Sequence, residues 1–174
     1  MNYPAASVWQ SFEKIIVTGP QRSGTRICAR MIAHDTGYEY VDEKALSIDR
    51  VLRLWDMMHS KRRLVVQCPA LCRHAHMFSR PEVAIVLMCR DIDDIRVSER
   101  RIGWKRHGSE LARYDLREGE GEIAVVKYKF WADYQRERIA HPFEIDYESL
   151  AGHPLWVSKA ARAKFGPHQT RRGK

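Results

Sequence analysis

The chain has 174 residues, 44% of them hydrophobic and 30% charged, which places it among globular proteins with one substantial core and excludes disordered or fibrous classes. The 30 basic side chains exceed the 22 acidic ones by 8, a balance that invites an anionic partner: nucleic acid, lipid headgroup or a small phosphorylated cofactor. No run approaches the roughly 20 apolar residues of a membrane helix, and the opening Met1-Asn2-Tyr3-Pro4-Ala5-Ala6 lacks the basic and apolar parts of a signal peptide, so a cytoplasmic protein without membrane attachment is expected.

In chain order, Lys14 to Thr18 reads as a buried strand, an apolar run closed by Gly19-Pro20. A helix is predicted from Ser23 or Thr25 to Thr36, with Ile27, Cys28, Met31 and Ile32 as its stripe and Gly37 as its stop. Tyr38 to Val41 is a short strand. Ala45 to Met58 reads as a second helix, since Ile48, Val51, Leu52, Trp55 and Met58 share a face. Leu64 to Gln67 and Val83 to Cys89 are strands, the second apolar on both faces and therefore central in a sheet. Helices are expected from Asp94 to Trp104, from Glu122 to Ile139 and from Pro154 to Phe165, with a strand at Pro142 to Ile145 before the last. This order predicts a three-layer α/β sandwich with a mainly parallel central sheet and ligands beyond the carboxyl ends of its strands. Residues 1–165 read as one domain and 166–174 as a basic tail.

Cys68 and Cys72 form a CxxxC pair that fits neither a zinc knuckle nor a CxxC redox motif, and Cys28 and Cys89 fall in apolar patterns, so all are expected to be structural thiols. His74 and His76 alternate as two metal ligands on a strand would, but Pro69 and Phe78 around them favour a short helix or loop, and no third ligand is evident. Either histidine is an alternative proton acceptor.

The segment Ile15-Ile16-Val17-Thr18-Gly19-Pro20-Gln21-Arg22-Ser23-Gly24-Thr25 carries the most chemistry. A buried strand enters a tight polar loop that opens into a helix, so glycines permit close approach and helix-start amides can cradle phosphate oxygens. Gly19 and Gly24 have the spacing of a nucleotide phosphate loop, yet the lysine expected before the Ser/Thr is missing and Arg22 supplies the cation earlier.

This segment resembles the 5′-phosphosulfate loop of the sulfotransferase family, matching it at Pro20, Arg22, Ser23, Gly24 and Thr25, with Gln21 inserted. A second match, Arg90-Asp91-Ile92-Asp93-Asp94-Ile95-Arg96-Val97-Ser98, is similar to the family's 3′-phosphate segment, with Ile92 where proline is usual. A third, Phe143-Glu144-Ile145-Asp146-Tyr147-Glu148-Ser149-Leu150, looks like its late strand and Tyr-Glu-x-Leu, with Tyr147 and Leu150 packing on the sheet. The resemblance implies a P-loop nucleotide-binding fold and transfer of a sulfuryl group from 3′-phosphoadenosine 5′-phosphosulfate (PAPS) to a hydroxyl or amine. It gives Arg22 the sulfate and bridging oxygen, and Ser23, Gly24, Thr25 and Arg26 the 5′-phosphate, with Gly19 and Gln21 completing the loop. Arg90 and Ser98 take the 3′-phosphate. The lysine and histidine of the family's small-molecule branch are absent at Val65 to Leu71, so Glu43, and after it Glu39, are the candidate bases.

The expected partner is a small-molecule or carrier-linked acceptor. A P-loop kinase for a small molecule or nucleotide is the alternative, supported by the loop outline and the basic stretch Glu99 to Arg106. A noncatalytic nucleotide- or polyanion-binding protein is the third reading, built on Arg100, Arg101, Trp104, Lys105, Arg106 and the tail.

Overall fold

The apolar runs pair into one sheet because each has too few polar side chains to face water. The computed structural model describes residues 2–46, 51–103 and 123–156. Strands β1 (Lys14–Thr18), β2 (Glu39–Val41), β3 (Leu64–Gln67), β4 (Val83–Cys89) and β5 (Pro142–Asp146) lie in the order β2-β3-β1-β4-β5, and every neighbouring pair is parallel. Alternation along β4 builds both faces: Val83, Ile85 and Leu87 enter one hydrophobic cluster, while Ala84, Val86 and Met88 enter the other. Fully burying a side chain of this size contributes roughly 1.5–3 kcal/mol.

Helices α1 (Ala6–Gln10) and α2 (Thr25–Thr36) serve the second face through Trp9, Cys28, Met31 and Ile32. On the first face lie Leu54 and Met58 of α3 (Val51–His59), the 3-10 segment Pro69–Phe78 and Trp131. The remaining α-helices among the described residues are α4 (Ile92–Arg101) and α5 (Ile123–Phe130). The expected three-layer α/β architecture with a parallel sheet is therefore the one observed. No helix among the described residues is long and apolar enough to cross a membrane.

Several boundaries differ from the sequence reading. Within the expected Ala45 to Met58 helix, Glu43–Leu46 is a 3-10 turn and Val51–His59 is α-helix, and residues 47–50 lie outside the described residues. α4 starts at Ile92 because the Asp91 carboxylate accepts the Asp93 and Asp94 amides as a helix cap. The Glu122 to Ile139 helix leaves α geometry at Trp131, passing through a π turn, Trp131–Gln135, and a 3-10 turn, Arg136–Arg138. α1 has no counterpart in the sequence reading. Trp104, Lys105, Arg106, the last expected helix beyond Trp156 and the basic tail lie outside the described residues. Cys28, Cys68 and Cys72 are buried free thiols, as expected of structural cysteines, and burial pushes them up in pKa.

Candidate functional site

β1 pairs with β3 on one side and β4 on the other, while the chain leaves it for β2 at the sheet edge. That reversal opens a crevice at the carboxyl end of β1, where parallel α/β sheets bind ligands. The loop from Gly19 to Gly24 fills it.

Gly19 and Gly24 have φ of 138° and 101°, and Arg22 shares the left-handed region at 68°. A Cβ on Gly19 would fall 3.0 Å from the Met88 carbonyl, and one on Gly24 would fall 2.5 Å from the Tyr147 ring. Arg22 has no such exemption from strain, which costs of order 1–3 kcal/mol for a non-glycine residue held there. No side chain caps the N-terminus of α2, so its first amides face the loop's hollow and favour an anion.

The side chains of the loop divide their tasks. Ser23 is fully buried and its hydroxyl donates to the Pro20 carbonyl at 2.7 Å, stapling the turn from within. The expected phosphate contact from that hydroxyl is thus occupied by the loop itself. Thr25 Oγ1 accepts from Gln67 Nε2 at 3.1 Å, which leaves the threonine hydroxyl proton to donate elsewhere. Arg26, expected on the 5′-phosphate, is half exposed and pairs with Asp42 at 3.0 Å at the end of β2.

Arg22 Nε donates to Ser98 Oγ at 3.0 Å, and Arg90 Nη1 donates to the Arg22 carbonyl at 2.9 Å. The three residues expected to share the nucleotide's phosphates therefore meet on the β4 side of the loop. Arg90 is only 10% exposed, pairs with Asp94 at 3.3 Å and lies 4.3 Å from the Tyr147 ring centre, while its Nε has no hydrogen-bond partner. Burial together with Arg101, Arg90 and Arg26 holds the Arg22 guanidinium below its ordinary pKa. Cations crowd here, and an anion would relieve them.

On the β3 side stands Glu43. Ala70 donates its amide to the carboxylate, but Oε2 is buried without a partner, and burial raises the Glu43 pKa against the pull of Arg26 and Lys127. Its backbone amide reaches Gln67 Oε1 at 3.4 Å, so Gln67 bridges Glu43 to Thr25. Glu39 lies elsewhere: it registers with Leu64 at the amino end of the sheet and pairs with Arg62. The histidines sit on the 3-10 segment, and His76 packs edge-on to Tyr134. Among the described residues the one metal-type cluster is His34, Asp35 and His153, at the opposite end of α2 from the loop.

The sequence reading missed Gln67 and Lys127. Lys127 is 2% exposed, and its Nζ donates to Gln21 Oε1 at 2.5 Å and to the Pro69 carbonyl at 3.4 Å. Nothing local marks it, because α5 is apolar around it and reaches the loop only through the fold.

A buried strand, a loop with left-handed turns and an uncapped helix start at a sheet's switch point define a P-loop fold. No protein-family model matches the chain, and no curated protein matches it in sequence. Among solved structures it is similar to a shikimate kinase from Acinetobacter baumannii in complex with shikimate, with a TM-score of 0.55 and 14% identity over 91% of this chain and 92% of that one. A sugar kinase from a Janibacter species gives 0.43 and 15% over 79% and 86%, and an uncharacterized protein from Eubacterium ventriosum 0.45 and 12% over 78% and 91%. The shikimate kinase likeness is one of fold, and it agrees with the P-loop architecture.

Proposed function

We propose that this chain transfers a sulfuryl group from PAPS to a hydroxyl or amine on a small or carrier-linked acceptor. The observation that carries the reading is the joining of Arg22, Ser98 and Arg90, from two separate segments, into one hydrogen-bonded cationic cluster at the loop. In this scheme the loop amides and Thr25 hold the 5′-phosphate, and Arg90 and Ser98 hold the 3′-phosphate. The unpartnered Arg90 Nε is a donor available to that group. Ser98 accepts from Arg22 and so keeps its own hydroxyl proton to donate.

Glu43 takes the acceptor's proton as the acceptor atom bonds to sulfur. Arg22 stabilises the electron pair that departs on the phosphate oxygen as the sulfur–oxygen bond breaks, and the loop amides keep that phosphate in line. A raised Glu43 pKa makes it a stronger base than an exposed carboxylate.

Calorimetric titration with adenosine 3′,5′-bisphosphate, AMP and ATP-magnesium at one salt concentration tests this. Tight binding that needs the 3′-phosphate is expected, and Arg90→Ala should weaken the bisphosphate about tenfold or more while leaving AMP nearly unchanged. Equal losses for both ligands remove Arg90 from that role. The second reading, phosphoryl transfer from ATP to a small hydroxylated acceptor, is favoured by the fold likeness to shikimate kinase and opposed by the missing loop lysine. Preference for ATP-magnesium would select it, and no nucleotide binding would leave a polyanion-binding role.

A further inference from the structure

Lysine is rarely as buried as Lys127 unless its charge is held and used. Among its partners are the Gln21 amide oxygen and the Pro69 carbonyl. They come from the loop after β1 and from the end of β3, so the ammonium spans the crevice between those strands. Its field also reaches Glu43, lowering the carboxylate's pKa against burial. The next residue anchors the helix: Tyr128 accepts the Arg90 amide at 3.0 Å. α5 thus crosses the carboxyl ends of the sheet, with Tyr128 fixed at β4 and Lys127 directed at the loop.

The site consequently has two charged sides. Arg22, Arg90 and Ser98 lie toward β4, whereas Lys127, Glu43 and Gln67 lie toward β3. A loop with this glycine spacing ordinarily carries its own lysine for the outermost group of the nucleotide, and here Thr25 follows Gly24 directly. We propose that Lys127 supplies that cation from α5, exchanging the Gln21 amide for the oxygens of the group being transferred, on the acceptor side beside Glu43. The inference rests on the loop being a nucleotide site, and it holds for a sulfuryl or a phosphoryl group alike. No bond to Lys127 is made or broken. Its role is to bind the transferred group and neutralise charge during transfer.

The test compares wild type, Lys127→Met and Lys127→Arg by calorimetry with PAPS and with adenosine 3′,5′-bisphosphate, which lacks the transferred group. Lys127→Met should weaken PAPS about tenfold or more and the bisphosphate less than about twofold, and Lys127→Arg should recover most of the loss. Equal losses on both ligands would show a brace for Gln21 and overturn the proposal, as would no loss on either. If the methionine variant fails to fold, Lys127→Gln, which keeps a donor without charge, carries the same comparison. If wild type prefers ATP, the sulfuryl reading falls, and the Lys127 proposal is judged by ATP against AMP with the same expected split. Binding of neither nucleotide overturns both.

Discussion

Arg22 holds its side chain and its backbone for different reasons. Its guanidinium meets Ser98, while its φ of 68° suits glycine. Arg22→Gly should therefore be about 1 kcal/mol more stable than Arg22→Ala in denaturant unfolding, since both lose the hydrogen bond and only glycine loses the strain. Both variants should lose transfer activity. In the proposed scheme Glu43 acts through its carboxylate, whose pKa is raised by desolvation. Activity should rise as pH passes upward through that value, and Glu43→Gln should remove this limb and lower kcat about a hundredfold or more. Stability moves the opposite way. The folded state holds the Glu43 proton more tightly than the unfolded chain, so this group's contribution is fully present below the unfolded value and is lost as pH rises through the folded one. Glu43→Gln should flatten that part of the profile in chemical unfolding across pH.

Each element delivers a side chain through the way it begins. α4 begins where Asp91 caps it, at 2.8 Å to the Asp93 amide and 3.2 Å to that of Asp94, and this phases the helix so that Ser98 faces Arg22. Asp91→Ala should cost about 1 kcal/mol of stability and weaken adenosine 3′,5′-bisphosphate more than AMP. Calorimetry on the folded variant checks the second effect. α2 begins at a glycine that the Tyr147 ring covers, so the 3-10 turn Tyr147–Gly152 closes the loop from outside while Leu150 anchors that turn in the core. α5 ends in a π turn that seats Trp131 against Glu144 at 2.9 Å and Gln135 against the Cys72 carbonyl at 2.7 Å.

At the scale of the whole molecule, a polar tie holds the opposite end of α2 from the site. Asp35 is desolvated, which alone would raise its pKa, but bonds from His153, His34 and Tyr3 outweigh burial and hold it below the usual range. Leu155 donates its amide to His153 Nδ1, so Nε2 carries the proton and donates to Asp35 at 2.9 Å. The cluster joins the first residues, α2 and the segment after β5. Its contribution is present above the unfolded aspartate value and is lost as pH falls through the depressed one. Asp35→Asn should lower stability at neutral pH by about 1–3 kcal/mol and blunt the acid limb of thermal unfolding.

The strands and the loop were legible in the sequence because their causes are local. β1 and β4 are apolar enough to be buried on both faces, and the glycines at 19 and 24 answer to backbone angles that side chains resist. The same locality marked Arg22 as the loop's cation, while Arg90 and Ser98 became candidates through the resemblance of their segment to the sulfotransferase family's 3′-phosphate segment. It failed where polar residues sit in ordinary-looking runs. Lys127 reads as one of two lysines on an otherwise apolar helix, Gln67 as the last residue of a strand, and Glu39 as a second candidate base after Glu43. Only the tertiary structure separated them, sending Glu39 to the amino edge of the sheet and bringing Lys127 to Gln21 across 106 residues and Arg22 to Ser98 across 76. Parallel crossovers gather strand ends on one edge whatever lies between them, so the sequence determined which pieces could bind an anion, and strand order determined which of them meet.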